Sequence, residues 1–564
     1  MPVLNDWVTY VDRSYEQIKA SVIARVTTKV PEITDFSESN ILVVIISMFA
    51  GIAEMLNYYI DNMAREAFLE TARLYASGVK LVKMLDYRIL AYTPASVDLT
   101  FTTLASSTPT AVAADYSVPA GIIVQTSNGV PFITTEELLI PAGEYEATVP
   151  SKQMEATSFN AGITNTDPDQ TFTISVQYAN GTMNITINSI NWELVDTFAF
   201  SGPTSKHFLV DIDANGNQYI QFGDGTYGEI PPSGYSVLCT CYATLGSSGN
   251  SYQPGTITSI QTSLALPGGI DQITCTNDLA SSGGADIDSL ADIKKKAPLS
   301  VRTNWRAVTF QDYQDIPLLV GGVQYAYADG CCGRDVDLYI APSGGGIAST
   351  ALLNDVSDFM EIHKTIGKRV NEYKAGITNI FVSADVYGRF RYTAAQVHDA
   401  VVEELTTEYA FGKTGINVAI RSSDILALID NLVEVDYVEN FIFYAVPYAR
   451  PTNHETELSW TREVLPGCDT KTSYVLTYTA SGMNVSRNGS FIGTYSFGTV
   501  FNDFIVKFTL TPDVYAVGNK WEFTVYPYNE NINLDDYTVP QIIEASLNLT
   551  SYPQSKSYTS KPAC

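Results

Sequence analysis

Two acidic, glycine-containing stretches are the first places where residue type and spacing could support chemistry. The stretch DIDANGN, residues 211–217, places Asp211, Asp213 and Asn215 at alternating positions, as in a calcium-binding loop. The twelfth position of such a loop is Phe222 here, where a bidentate glutamate is needed. We therefore interpret the stretch as a polar turn between two strands.

The second stretch, FGDGTYGEIPPSGY, covers residues 222–235. Glycine-rich phosphate-binding loops follow a strand and open a helix. Here Pro231 and Pro232 come next, and no helical pattern follows. Asp224-Gly225 is a tight-turn signal, and Gly228 and Gly234 permit positive φ angles. We expect a turn of fixed shape, with no bound nucleotide.

The patterns of nucleophilic and metal sites are missing from the sequence. There is no GxSxG elbow, and the four histidines lie far apart in the chain. No CxxC pair occurs, and we interpret Cys239 and Cys241, which alternate along a predicted strand, as reduced buried thiols. We predict no catalytic residue, no metal and no cofactor, and hence a protein that is not an enzyme.

Charge and length restrict the function further. The formal net charge of −28 argues against nucleic acid as a partner, because phosphate binding needs Lys and Arg to replace counterions. Asp6, Asp12 and Glu16 stand where a signal peptide would need a positive region and an apolar core. A chain of 564 residues should form several domains.

The patterns along the chain predict an α+β multidomain fold. Residues 1–93 form an N-terminal helical segment, and residues 94–284 form a β-rich domain of short Thr- and Val-rich strands. Residues 285–446 form an α+β domain, with two halves that resemble each other weakly and a first helix that ends at Pro298. Residues 447–564, rich in Tyr, Thr and Phe, form an appended β-sandwich-like domain.

A helix predicted over residues 38–72 has an unusual surface. Asn40, Ser47, Glu54 and Asp61 stand seven apart and form a narrow polar stripe. The uncharged run before Glu54 is too short for a membrane span, so we expect no membrane insertion. Burial in its own chain and packing in a bundle with other chains remain open, and we favour the bundle. The expected partner-binding residues are Ile45, Met48, Phe49, Ile52, Leu56, Tyr59, Ile60, Met63 and Phe68.

A family resemblance rests on several motifs that occur in one order. The segment FGDGTYGEIPPSGYSVLCTCYATLGSSGN resembles the signature of baseplate J-like proteins, which are wedge components of contractile phage tails and related injection machines. The resemblance extends over residues 35–445, with departures at Asn304 and Trp305, where a glycine-containing turn is more usual. Its motif residues are Phe222, Gly223, Asp224, Gly225, Gly228, Pro231, Pro232, Gly234, Gly249, Asn250, Arg302, Arg306, Asp312 and Tyr313.

The resemblance implies a structural role in the virion. In the family, two copies join a third, different chain through a helical bundle. Six such wedges form a ring around the central hub and tube, and the ring passes the contraction signal to the sheath. The implied partners are therefore a sister copy, other wedge chains, neighbouring wedges, hub or tube proteins and sheath-proximal proteins. Assembly would occur in the host cytoplasm and would need no cofactor.

The C-terminal domain lies outside the resemblance and leaves an alternative open. Its exposed aromatic residues could bind a cell-surface carbohydrate, which would make the chain a tail-associated host-recognition protein. A tyrosine-rich sandwich core would give the same sequence pattern. A third hypothesis, a tail-associated hydrolase, would require measurable cleavage of a cell wall or polysaccharide.

Overall fold

A computed structural model describes residues 13–552, except for 86, 331–333, 412, 447, 452–457, 459, 466–470, 504, 512–514, 516, 527–531, 535 and 536. The first and last segments of the outer predicted domains, residues 1–12 and 553–564, thus lie outside the described residues. The helices are α1 Tyr15–Lys29, α2 Ile41–Glu66, α3 Tyr75–Lys83, α4 Leu290–Thr303, α5 Phe310–Asp315, α6 Thr350–His363, α7 Ala394–Glu408 and α8 Ser422–Asp430.

Strands dominate the rest of the described chain. Up to residue 277 they are β1 Ser96–Ala105, β2 Thr108–Pro109, β3 Tyr116–Val118, β4 Ile123–Thr126, β5 Pro131–Thr134, β6 Leu138–Ile140, β7 Glu146–Lys152, β8 Glu155–Ile163, β9 Thr171–Thr173, β10 Asn184–Ile187, β11 Ile190–Leu194, β12 His207–Ile212, β13 Gln218–Phe222, β14 Ser236–Ala243, β15 Ile257–Ile260 and β16 Gln272–Asn277.

The later strands are β17 Val323–Asp329, β18 Asp335–Pro342, β19 Arg369–Lys374, β20 Gly376–Gly388, β21 Ala419–Ile420, β22 Val435–Ala445, β23 Arg450–Pro451, β24 Trp460–Val464, β25 Thr472–Thr479, β26 Gly482–Arg487, β27 Ser490–Tyr495, β28 Val500–Asn502, β29 Val506–Leu510, β30 Lys520–Val525, β31 Ile532–Asn533, β32 Thr538–Gln541 and β33 Leu547–Tyr552. Helices at the start followed by a strand-rich body with further helices confirm the predicted α+β multidomain class.

The chain divides into two compact units. The first unit is formed by residues within 1–91, 156–243 and 286–305, and the second unit by 92–155, 244–285 and 306–564. The first unit therefore combines the N-terminal helices with strands of the middle region and with α4. A division of the sequence into contiguous domains does not show this arrangement, because the strands of one sheet are separated along the chain by the strands of another.

The first unit has a seven-stranded sheet in the order β8-β14-β10-β11-β12-β13-β9. Its strands alternate inward apolar and outward polar residues, as half-buried strands do. Phe208, Ile220, Phe222 and Val237 are fully buried in its core. Cys239 and Cys241 belong to the same core, and burial raises the pKa of the Cys239 thiol to about 12. Both thiols are free.

Helix α4 shows that Pro298 does not end the helix, contrary to the expectation from sequence. Ser289 and Asp292 form a capping box at its start, and the helix continues through Pro298 to Thr303. It ends at Asn304, which adopts a left-handed conformation with φ of 46°. Burial of Ile293, Ala297 and Ser300 holds the last turns in place and offsets the hydrogen bond that proline removes.

The second unit begins with another β-sheet, in the order β15-β4-β5-β7-β1-β16 with β2 beside β1. A three-stranded sheet, β17-β18-β19, packs with α5 and α6 around a core that includes Leu338, Ile340 and Val356. The next sheet, β22-β20-β32 with β33 also beside β20, packs on α7 and α8 through residues such as Val382, Val401 and Ile425.

The β-sandwich is inserted, in sequence, between strands of this last sheet. Its sheets have the orders β23-β30-β25-β26-β27 and β24-β29-β28, and they share a core that contains Tyr474, Phe508 and Trp521. The C-terminal strands β32 and β33 then return and pair in parallel with β20. The arrangement thus differs from a domain that fills residues 447–564. Strands β23–β30 form a sandwich inserted between β22 and β31.

Candidate partner-binding surface

Helices α1 and α2 form a hairpin in which α1 packs along one side of α2. Ser14 and Gln17 form a capping box at the start of α1, and Asn40 caps α2 by accepting a hydrogen bond from the Leu42 N–H at 2.9 Å. Helix α2 has 26 residues and ends at Glu66. The predicted helix over 38–72 was therefore too long, and Phe68 lies beyond the end of α2.

The side of α2 that is covered within this chain carries both apolar and polar residues. Val43, Ile46, Ala50, Asp61 and Arg65 are its buried members. They recur at intervals of three, four, eleven and four residues, which places them on one face of the helix. The covered side thus includes two charged residues, whereas the larger apolar side chains of α2 lie on the other sides, unlike the usual arrangement of an amphipathic helix.

The predicted polar stripe lies on or near this covered side. The Glu54 carboxylate accepts a hydrogen bond from the Tyr15 backbone N–H at 3.0 Å, at the start of α1. The neighbouring Asn57 amide donates to the Arg13 carbonyl at 3.4 Å. Asp61, a further member of the stripe, is only 5% exposed. The polar residues of α2 therefore hold its own hairpin together.

The apolar side of α2 is exposed. The nine residues expected to bind partners are all between 45% and 75% exposed, namely Ile45, Met48, Phe49, Ile52, Leu56, Tyr59, Ile60, Met63 and Phe68. Those within α2 fall in an arc of roughly 120°, at 3.6 residues per turn. An amphipathic helix that packs on one core usually has an apolar stripe of about 100°. We call these nine residues the α2 apolar face.

Sequence reasoning missed some members of this surface. Ile41, Val44, Met55 and Tyr58 are also exposed, by 77%, 45%, 53% and 62%. Ile41 lies on the same arc, and Val44 and Met55 widen it to roughly 160° at 3.6 residues per turn. Plotting each residue at 100° per position would have included all three. Tyr58 lies nearer the covered side, where its exposure could not be foreseen from the sequence.

By length and composition, α2 could cross a membrane. Only 17% of its most apolar window is buried, so it is not a core helix of the described chain. Two of its charged residues, Asp61 and Arg65, are buried within this chain. Glu66, at its end, accepts hydrogen bonds from the backbone N–H groups of Arg73 and Leu74 at 2.9 and 3.3 Å.

The FGDG motif forms a tight turn in the first unit. The Asp224 carboxylate accepts hydrogen bonds from the backbone N–H groups of Tyr227 and Thr226, at 2.6 and 2.7 Å, and they lower the pKa of this carboxyl. Gly223 and Gly228 cross so closely that a Cβ on Gly223 would lie 2.4 Å from the Gly228 carbonyl carbon. Phe222 is fully buried against Trp192, with ring centroids 5.1 Å apart.

The residues after the turn are positioned by Thr164. Its hydroxyl donates to the Pro232 carbonyl, and its carbonyl accepts from the Gly234 N–H at 2.8 Å. Gly234 has φ of 86°, which favours glycine. Pro231 is buried and precedes this contact. The motif is thus a turn held by its own hydrogen bonds, with Phe222 and Pro231 buried.

The remaining motif residues lie in other elements of the chain. Asn250 makes two hydrogen bonds to the backbone of Gly284, at 2.7 and 2.9 Å, and Gly249 is buried. Asp312 completes the capping box of α5, and Tyr313 is 2% exposed. The side chains of Arg302 and Arg306 are exposed.

The acidic turn at 211–217 also bonds within the protein. The Asp213 carboxylate accepts from the backbone N–H groups of Asn215 and Asn217, both at 2.8 Å. Asp211 pairs with Lys83, with 2.6 Å between Oδ2 and Nζ. In the part of the chain that the structure describes, no group of three or more His, Cys, Asp or Glu side chains could hold a metal ion.

Comparisons with known proteins find a similarity in the N-terminal helical segment. Residues 14–84 match the family model of the N-terminal domain of bacteriophage baseplate proteins. A comparison with curated proteins gives no match. Among solved structures, the chain is similar to one in the cryo-EM structure of the anti-feeding prophage (AFP) baseplate, 6-fold symmetrised. Identity is 14% over 75% of this chain and 86% of that chain, with a TM-score of 0.27, which is too low to carry an argument.

The matched segment contains α1, α2 and α3 and therefore the whole α2 apolar face. The match supports a structural role in a phage-type baseplate and association with other baseplate proteins. It also indicates a component of the virion tail.

Proposed function

We propose that this chain is a wedge protein of a contractile-tail baseplate, and that the α2 apolar face joins it to a sister copy and to a second wedge chain. The observation that carries the proposal is the exposure of this face within a segment that matches a baseplate domain. At roughly 25 cal/mol per Å² of apolar surface, leaving so many large side chains in water is costly. Partner helices would remove that cost.

The width of the face supports more than one partner. A helix that packs on one core has an apolar stripe of about 100°, whereas the exposed arc spans roughly 160° once Ile41, Val44 and Met55 are included. A bundle in which α2 contacts two further helices would cover it. Its polar side, which bonds to α1 through Glu54, would remain within the hairpin.

The proposed role is architectural. The wedges would assemble in the host cytoplasm into a ring around the hub and tube, and they would pass the contraction trigger to the sheath. Such a role needs no catalytic residue and no cofactor. The negative charge of the chain would keep unassembled copies soluble and would favour partners with basic surfaces.

Co-expression with the other chains of the same baseplate tests the proposal. We expect the affinity-tagged chain to co-purify with a sister copy and a second wedge chain, and native mass spectrometry should give the mass of that complex. A stable monomer that does not bind any of those chains would contradict the proposal.

A further inference from the structure

The sheet of the first unit carries an open cavity that the proposed function does not use. The cavity has a volume of about 350 Å³ and lies over β8, β14 and β10, which are neighbours in this sheet. Residues 156–158 and 240–242, together with Thr182 and Asn184, line it. Sites for small molecules have volumes of roughly 300–1,000 Å³, so a small ligand would fit. We call it the β8–β14–β10 cavity.

The aromatic residue of this cavity, Tyr242, is held by hydrogen bonds on both sides of its backbone. Its N–H donates to the Thr182 hydroxyl at 3.3 Å, and its carbonyl accepts from the Ala179 N–H at 2.8 Å. The Thr182 hydroxyl in turn donates to the Ala179 carbonyl at 2.7 Å. Tyr242 is nevertheless 37% exposed. Its position is thus fixed before a ligand binds, which reduces the entropy lost on binding.

Several polar side chains of the lining are available for a ligand. Within the described part of the chain, the Thr157 and Ser158 hydroxyls and the Asn184 amide have no hydrogen-bond partner. The Thr240 hydroxyl reaches only the Asn184 carbonyl, at 3.5 Å. A ligand that carries hydroxyl groups can both donate to and accept from these groups. An apolar ligand would remove water from them and replace none of its hydrogen bonds.

The charge around the cavity excludes an ionic ligand. The residues that line the cavity are all uncharged. Between Lys152 and Lys294 the sequence contains a single cation, Lys206, which is paired with Glu229 at 3.2 Å. A phosphate, sulfate or carboxylate group of a ligand would therefore meet no counter-charge here, and burying it would be costly. The lining thus favours a neutral, polar ligand.

We propose that the β8–β14–β10 cavity binds a short neutral carbohydrate. A sugar ring has an apolar C–H face, which packs on an aromatic ring, and hydroxyl groups around its edge. Tyr242 would contact the C–H face, and the Asn184 amide and the Thr157 or Ser158 hydroxyl would bond to the sugar hydroxyls. The inference is independent of the proposed wedge function, because this cavity lies outside the segment that matches a baseplate domain.

A strand from another chain is the competing occupant, because β8 is the outermost strand of its sheet. Such a strand would pair with the main chain of β8 along its free edge. The groups that lack partners are instead side chains, and Asn184 and Tyr242 belong to strands inside the sheet. Their position over the face of the sheet favours a small ligand that rests on that face.

An array of short neutral hexose and N-acetylhexosamine oligosaccharides, probed with the full chain, tests the inference. Calorimetric titration with the best oligosaccharide then gives its dissociation constant. Tyr242→Ala and Asn184→Ala should each raise that constant about tenfold. Ala156→Trp should abolish binding, because it fills the cavity without removing a hydrogen-bonding side chain. Tyr235→Ala is the matched control, since Tyr235 is 39% exposed and directly precedes β14. It should bind as the natural chain does.

Several results would overturn the inference and leave the wedge proposal untouched. One is the absence of binding to every neutral oligosaccharide at millimolar concentration. Another is an equal loss of affinity in the Tyr235→Ala control. A third is a preference for sialylated or sulfated oligosaccharides, which the uncharged lining does not allow. A fourth is binding that survives both Tyr242→Ala and Ala156→Trp, which would place the carbohydrate elsewhere on the chain. Unchanged circular dichroism and melting temperature would show that the variants are folded.

Discussion

At the scale of single residues, close backbone contacts and the pairing of buried hydroxyls determine how much a substitution lowers the free energy of unfolding. Gly223 and Gly228 touch across the FGDG turn, and Phe222 anchors the turn in the core. The hydroxyl of Tyr75 is buried without a hydrogen-bond partner among the described residues, whereas the Tyr219 hydroxyl donates to Asp211 at 3.1 Å. These differences lead to three predictions.

Gly223→Ala should prevent the FGDG turn from closing. Its Cβ would lie 2.4 Å from the Gly228 backbone, and a backbone atom cannot move aside as a flexible side chain can. We expect a loss of about 2 kcal/mol or more in the free energy of unfolding of the first unit. Gly268→Ala is the control, because nothing lies within 4 Å of its added Cβ. Thermal unfolding and hydrogen exchange of β13 are the measurements, and equal effects of the two changes would contradict the prediction.

Tyr75→Phe and Tyr219→Phe should differ at neutral pH. Removing the unpaired Tyr75 hydroxyl should leave the free energy of unfolding unchanged or slightly higher, since a buried hydroxyl without a partner is unfavourable. Removing the Tyr219 hydroxyl should cost about 1 kcal/mol, because its hydrogen bond to Asp211 is lost. Denaturant unfolding at pH 7 measures both, and the opposite order of stability would refute the assignment.

The same variants should also change how the free energy of unfolding depends on pH in the alkaline range. Burial raises the pKa of Tyr75 and of Tyr219 from 10.0 to about 12. Between these values the unfolded chain binds fewer protons than the folded chain, so stability falls as the pH rises from 10 to 12. Each Phe variant should show a shallower fall over that window than the natural chain. A slope that stays the same would mean that these phenols do not ionise on unfolding.

At the scale of elements, helix α2 presents its apolar side outward and holds its own hairpin with polar groups. Ile52→Asp or Phe49→Asp should abolish association with the partner chains, because each places a charge in a dry interface at a cost of several kcal/mol. The sandwich should remain folded. Leu266→Asp is a matched control, since Leu266 and Ile52 are both 49% exposed. Co-purification with the partner chains is the measurement, and complexes that survive both changes in α2 would show that this helix is not the partner surface.

Sequence reasoning predicted the helix and its apolar residues but misjudged its ends and its polar stripe. Periodicity shows which residues share a face. It does not show which face the rest of the chain will cover. Here α1 packs on the side that carries Glu54, where the Tyr15 N–H donates to the Glu54 carboxylate, and Asp61 on the same side is buried. Helix α4 gives a similar case, because buried contacts carry it past Pro298.

At the scale of the whole molecule, strands that are distant in the chain belong to the same domain, because other domains are inserted between them in sequence. The fold class was predictable, because strand and helix patterns are local. The membership of β32 and β33 was not, because parallel pairing with β20 joins residues that lie about 160 apart in the chain. The candidate surface was predictable as a set of residues in one helix. The β8–β14–β10 cavity required the sheet order, which sequence patterns do not give.

Excision of the sandwich tests this architecture. Arg450 of β23 lies opposite Glu522 of β30 in the backbone register of the sheet, so the two ends of the insertion are adjacent. Replacing residues 450–525 by a short Gly/Ser linker should therefore leave the sheet of β20 folded, with cooperative thermal unfolding. Truncation after residue 526 should unfold that sheet, because it removes Ile532 and Val539, which are fully buried. Stable folding of the truncated chain would contradict the assignment.

Electron microscopy of assembled tails carrying a small protein fused at the end of this chain tests the central claim most directly. The account predicts extra density in the ring at the baseplate, around the central tube, and loss of intact baseplates when Ile52→Asp is introduced. Extra density along the sheath or on the fibres, or normal baseplates with Ile52→Asp, would contradict it.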